Sequence, residues 1–220
     1  MNTLTKLALG LMGQVRPRPA RGASAPHRVL LPPTQDGGMP LMEALRKRQS
    51  QREFATDALT EQQLSDLLWA AGGINRPAPG GRTVPSAMNA QELCLYVALP
   101  QGLFRYEPGT HALERLSASD VRAVTGYQDF VDLAALDLIY VADHARMALV
   151  PAARREAYAF AAAGAAAQNV YLVCASAGLA TVVRAWFDRD ALSGAMGLGN
   201  DEQLLLAQTV GVPRAGSTAA

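Results

Sequence analysis

Apolar positions along the chain fall into two kinds of run. In the first they recur every three or four residues, so that Leu64, Leu67, Leu68 and Ala71 share one face of a helix. Thr60 and Gln63 open that helix as a capping box, and Gly72 and Gly73 close it. Residues 42–48 predict a shorter helix with a basic end. In the second kind the apolar residues are continuous: 93–99 and 136–142 read as strands buried on both faces. Residues 103–107 and 112–116 form a hairpin turned at Pro108 and Gly109. Ser119 caps a short helix through Val124, and residues 181–186 are a strand. A helix capped by Asp188 and a last strand over 204–210 complete the pattern, whereas the Gly/Pro-rich stretch 74–86 is loop.

The longest element is residues 151–177. Pro151 suits a helix start, Gly178 suits the position just past its end, and 12 of residues 152–177 are Ala. Its middle, 159–167, lacks a polar face, so it is expected to be buried on all sides or to meet a second helix closely, for example across a subunit interface. Strands alternating with helices give an α/β or α+β class around a central sheet.

Composition narrows the picture. The 220 residues suit one ordinary domain, and 41 of them are Ala, which favours close helix packing over bulky side chains. A net charge of +1 gives no bulk field for nucleic acid or anionic lipid. Cys94 and Cys174 stand 80 positions apart, which is neither a disulfide framework nor a metal-ligand spacing. No uninterrupted apolar run reaches the ~18 residues of a membrane span. Residues 1–39 are expected to be a basic, Pro-rich arm, with Lys6, Arg16, Arg18, Arg21 and Arg28 and no acid before Asp36. The short run 7–13 with Ala23–Ser24–Ala25 behind it imitates a secretory signal, but three arginines intervene, so a cytoplasmic protein is expected. The folded domain is expected to span 40–214, with 215–220 a tail.

Familiar chemical signatures are missing: GxGxxG after a strand, GxxxxGK[ST], GxSxG and HExxH. His27, His111 and His144 stand apart, without ligand spacing. With no evident nucleophile or general base, the chemistry falls to a bound cofactor. Three segments are candidates to hold one. In Arg48–Gln49–Ser50–Gln51–Arg52, alternate residues of an extended chain point the same way, so two guanidinium groups and a hydroxyl can meet one anion. Pro85, Ser86, Ala87, Asn89 and Gln91 bring small and polar groups to a strand edge. Val183, Arg184 and Ala185 place a single charge in an apolar strand, where it is either a site residue or half of a buried ion pair.

Taken in order with Ala167–Gln168–Asn169–Val170, Gly178–Leu179–Ala180–Thr181, Phe187–Asp188 and Val210–Gly211–Val212–Pro213, these segments resemble the nitroreductase-like flavin oxidoreductases. The branch it looks closest to includes the peptide azoline dehydrogenases, through residues 67–71 and 102–106. The resemblance implies an α+β homodimer with a mostly antiparallel sheet flanked by helices and two FMN sites between subunits. It assigns Arg48 and Ser50 to the FMN phosphate, Gln49 to the ribityl chain and Arg52 to the pyrimidine edge as an electrostatic stabiliser. Pro85, Ser86, Ala87 and Asn89 would reach the flavin from the other subunit. Val183, Arg184 and Ala185 would lie along the ring, and Arg214 is the last basic residue able to join the phosphate. Trp186 stands where such proteins commonly carry Gly, and Val212 where they carry Tyr. The implied activity is hydride transfer through flavin N5 from NADH or NADPH to a nitroaromatic, quinone or similar small molecule. The alternatives are an oxidative dehydrogenase of a heterocycle in a modified peptide, a non-catalytic flavin-binding dimer, and an Ala-rich structural domain without cofactor.

Overall fold

The computed structural model of the chain describes residues 28–78 and 80–216. Its elements are β1 (Arg28–Val29), α1 (Leu41–Lys47), α2 (Glu61–Gly72), β2 (Ile74–Arg76), β3 (Gly81–Arg82), β4 (Leu93–Leu99), β5 (Gly102–Glu107) and β6 (Ala112–Ser117). They continue with β7 (Leu136–Asp143), α3 (Ala152–Ala177), β8 (Ala180–Arg184), α4 (Arg189–Met196) and β9 (Glu202–Gly211). Seven strands form one sheet in the order β1-β6-β5-β4-β7-β9-β8, and every neighbouring pair is antiparallel. The class is therefore α+β.

The continuous apolar runs are buried on both faces, as expected of central strands. Leu93, Leu95, Val97, Leu138 and Tyr140 face α2 and α3, where Leu64, Leu67, Leu68, Ala163, Ala166 and Val170 complete the main core. Alternate residues Tyr96, Ala98, Ile139 and Val141 face the opposite side, which Phe187 and the α4 residues Leu192 and Met196 cover. The Thr60 capping box forms as read, with Thr60 Oγ1 accepting from Gln63 N and Gln63 Oε1 from Thr60 N. Asp188 caps α4 through Ala191 N.

Four expectations change. The stretch 74–86 is not all loop, because β2 and β3 pair as a small second sheet. Ser119 caps nothing; a 3-10 turn at Arg122–Val124 follows Val121 instead. The strand over 181–186 stops at Arg184. Packing also begins before residue 40: Leu30 is buried, Arg28 and Val29 pair with β6, and Met39 N donates to Ser176 Oγ at 2.8 Å. The arm's remainder and its signal-like run, residues 1–27, lie outside the described residues, as do 217–220.

Helix α3 runs the full 26 residues and ends at Gly178, whose φ of 68° is the left-handed conformation that glycine takes without a Cβ penalty. It is not buried all round within one chain. Ala159, Ala163, Ala166, Val170 and Cys174 face the sheet, whereas Ala157, Tyr158, Ala161 and Gly164 are exposed. By length and composition it would also suffice to cross a bilayer, which a count of unbroken apolar runs misses; 44% of its most apolar window is buried inside the fold.

Candidate active site

The site grows from the end of α1. Arg48 closes that helix, its N–H donating to Ala44 O, and its ψ of 134° turns the chain extended. Gln51 N then donates to Thr181 O at 2.9 Å, which docks the segment along the free edge of β8. Beyond it Phe54 bridges Pro213, Ala55 N donates to Val212 O, and Arg214 N donates to Glu53 O. The chain end thereby brings Arg214 beside the segment that carries Arg52, and both side chains are exposed.

Tyr171 of α3 organises this corner. Its hydroxyl lies 2.7 Å from Ser50 Oγ and accepts the Val183 N–H at 3.0 Å, while the Arg48 guanidinium stacks over its ring at 5.0 Å. With Tyr171 donating to Ser50, the Ser50 proton remains available to a further acceptor. Arg48 and Ser50 thus converge as alternate residues of an extended chain should. Gln49 between them is half-buried. Tyr171 carried no signal in the sequence beyond its place in the long Ala-rich helix.

Beside these residues runs a groove of about 300 Å³, lined by Gly164, Ala167, Gln168 and Tyr171 of α3, by Val183, Arg184 and Ala185, and by Leu206 of β9. The small residues of α3 leave this space open, and nothing lies within 4 Å of where a Gly164 Cβ would stand. Among the described residues neither Arg48 nor Arg52 has a carboxylate within ion-pair distance. Arg48 Nε is buried and lacks a hydrogen-bond partner there. A buried guanidinium donor costs free energy unless something accepts from it. Cationic donors and a hydroxyl beside an apolar-walled groove fit a phosphate-bearing aromatic ligand.

Arg184 resolves toward the ion pair. Its Nη2 lies 2.7 Å from Asp137 Oδ1 and 2.8 Å from Thr209 Oγ1, and its side chain is 4% exposed. Burial pushes the Asp137 carboxyl up to about 6, against the pull of Arg184 and of the Thr209 and Thr125 hydroxyls. The guanidinium is committed to this network, which leaves the main chain of 183–185 as what the strand offers a ligand.

Pro85, Ser86, Ala87 and Asn89 do not line the groove of their own chain. Ser86 Oγ donates to Glu92 Oε2 at 2.5 Å and accepts from Gln91 N, and Gln91 bonds Arg82 and Gly80 O. Met88, Asn89 and Gln91 hold positive φ values of 55°, 54° and 49°, a strained run that side chains other than Gly rarely adopt. Thr83 and Asn169 tie this loop to α2 and α3, since Asn169 Nδ2 donates to Ala70 O and Thr83 O. A larger space of about 370 Å³ opens near it, where Arg82, Arg105 and Arg146 face Glu107, Asp143 and Glu202. Opposite charges offset one another there, so the smaller groove is the better anion site.

A seven-stranded antiparallel sheet flanked by helices carries this cationic corner at its β8 edge, an α+β arrangement shared with solved structures of other proteins. The model of the nitroreductase family matches residues 45–212, and the chain belongs to that family. A curated relative from Methanocaldococcus jannaschii, described as a "putative nitroreductase", is 34% identical over 161 residues, 68% of this chain and 81% of the relative. A crystal structure from Ralstonia eutropha JMP134, described in the same words, is 50% identical, with TM-score 0.83 over 91% of this chain and 96% of that one. The fold also matches a Desulfovibrio desulfuricans protein in complex with FMN at 22% identity and TM-score 0.59, over 84% of this chain and 92% of that one. It matches a chain of the E. coli microcin synthetase McbBCD complex at 16% identity and TM-score 0.65, over 94% and 91%.

Proposed function

We propose that the chain is an FMN-dependent oxidoreductase, active as a homodimer, that carries reducing equivalents from NADH or NADPH to a small nitroaromatic or quinone. The observation that carries this reading is the convergence of Arg48 and Ser50 on Tyr171 at a groove where Arg48 Nε has no hydrogen-bond partner among the described residues. The FMN complex of the D. desulfuricans relative supports the choice of ligand.

When bound, FMN supplies two-electron chemistry, accepting hydride at N5 and passing it on. Arg48 and Ser50 would hold the phosphate by charge-assisted hydrogen bonds, Gln49 would meet the ribityl chain, and Arg214, beside the Arg52 segment, would add charge. Arg52 would stand at the pyrimidine edge, where its charge would favour the reduced form of the cofactor. In antiparallel pairing alternate residues point their N–H and C=O to the same strand edge. Thr181 O and Val183 N already point outward to Gln51 and Tyr171; Ala185, the first residue past β8, lines the groove two positions on, and its N–H is the candidate partner of N5. Pro85, Ser86, Ala87 and Asn89 contribute from the second subunit, and the exposed small-residue face of α3 packs between subunits.

The overall reaction balances without a side-chain acid: the nicotinamide loses hydride, and a quinone takes up that hydride and one solvent proton to leave as hydroquinone. A nitro group treated likewise leaves as nitroso plus water. The visible spectrum of the purified protein, sedimentation equilibrium, and anaerobic titration with NADH and NADPH test the reading. Bound flavin, a dimer and bleaching by one nicotinamide are expected; a colourless monomer that ignores added FMN would refute it.

A further inference from the structure

Two large aromatic side chains stand in the open, one of them next in the chain to Ala185 of the groove wall. Trp186 is 71% exposed and Tyr127 is 59% exposed, and their ring centroids lie 5.4 Å apart at 57°. The pair is held there rather than left loose. Arg184 Nη1 donates to Thr125 O at 2.7 Å and to Gln128 Oε1 at 3.3 Å, and Nη2 to Thr125 Oγ1 at 3.1 Å. Gly126 passes so close that a Cβ there would stand 1.9 Å from Arg184 Nη1. Tyr127 is therefore carried between two residues tied to Arg184, and Trp186 lies two residues past Arg184 on the same chain. Ala185, between Arg184 and Trp186, lines the groove.

We infer that Tyr127 and Trp186 form a platform at the mouth of the groove that receives a planar quinoid or nitroaromatic electron acceptor. The inference rests on the groove being the flavin site and names the two residues that would receive the acceptor there. Aromatic faces attract flat rings in offset or tilted stacks, and the Tyr127 hydroxyl adds a donor for a carbonyl or nitro oxygen. Arg184 ties Thr125 and Gln128 on either side of Tyr127, and the two rings rest on each other, which limits the side-chain entropy lost on binding. The reaction is the balanced one above, with no further reactant.

The test uses the full chain loaded with FMN and the variants Trp186→Ala, Tyr127→Ala and Trp186→Phe. Flavin absorbance is recorded first. Rates at saturating nicotinamide are then compared for menadione, a flat quinone, and ferricyanide, an octahedral ion that cannot stack. Losing one ring is expected to lower the ratio of kcat/KM for menadione to that for ferricyanide about tenfold, chiefly through KM, with Phe restoring most of it. Menadione is also expected to quench wild-type tryptophan emission saturably, and to lose that quenching in Trp186→Phe, which keeps only Trp69. An unchanged ratio, a shift confined to the nicotinamide KM, or conversion of the dimer to monomer would overturn the inference; the last would assign the pair to the subunit contact. A wild-type protein that retains no FMN would instead refute the flavin reading, and the menadione fluorescence titration would still decide the platform.

Discussion

The Tyr171 hydroxyl lies 2.7 Å from Ser50 Oγ and joins the end of α1 to the edge of the sheet. The same oxygen accepts the Val183 N–H, so one phenol fixes both the hydroxyl proposed to meet the phosphate and the strand that borders the groove. Tyr171→Phe keeps the ring under Arg48 but removes both bonds. Two neutral hydrogen bonds are worth about 1–3 kcal/mol together. The variant should bind FMN about 5- to 150-fold more weakly where the whole loss falls on binding, and melt several degrees lower, as read by flavin fluorescence titration and calorimetry. Unaltered affinity would remove Tyr171 from the site.

Arg48 is the sharper test of the phosphate assignment. Arg48→Ala should cost about 1.5–3 kcal/mol of FMN affinity, the usual worth of a charge-assisted hydrogen bond. Arg48→Lys should recover only part of it, because a point charge cannot reproduce the planar fork. Riboflavin, which lacks the phosphate, separates the roles: its affinity should respond to Arg48→Ala far less than that of FMN. Equal losses for both ligands would move Arg48 away from the phosphate.

The periodicities exposed the central strands, the capped helix α2 and the long Ala helix because each buries residues in a regular rhythm. That Arg48 and Ser50 could meet one anion depended on an extended backbone, which the Arg48 ψ of 134° and the Gln51–Thr181 bond supply. Tyr171 was not legible: only the fold shows that its hydroxyl reaches past the core to Ser50. Arg184 was ambiguous for a related reason. A lone charge in a strand demands a partner, but Asp137 stands 47 residues away and no local pattern links the two. The loop at 85–91 was legible as polar, yet its hydrogen bonds turn inward to Glu92 and Arg82.

The Arg184–Asp137 pair predicts a stability effect separable from chemistry. Removing one partner leaves the other charge buried, at a cost of about 3–5 kcal/mol. Asp137→Asn should therefore lower the midpoint of urea unfolding strongly. The double variant Asp137→Leu with Arg184→Met, which removes both charges, should be less damaged than the single one. A double variant worse than the sum of the singles would mean that the network stabilises the fold beyond mutual neutralisation.

His111 makes the docking of β1 sensitive to acid. Its Nδ1 lies 2.8 Å from the Tyr106 hydroxyl, and its Nε2 lies 3.0 Å from Leu31 O and 2.8 Å from Ser65 Oγ. The neutral ring satisfies these partners, with Tyr106 donating to Nδ1 and Nε2–H donating to Leu31 O. Burial pulls the imidazole pKa below its ordinary value, while the Leu31 carbonyl and the Asp66 carboxylate pull it back. The unfolded chain therefore takes up a proton at higher pH than the folded one. The stabilisation is complete above an unfolded pKa of about 6.5 and fades as pH falls through it toward the lowered folded value. Thermal unfolding of the wild type and of His111→Gln, which cannot titrate there, compares the two directly. The wild type should lose stability relative to the variant between pH 7.5 and 5, and amides of residues 28–34 should exchange faster first. A difference that stays constant across that range would show that His111 holds β1 by shape alone.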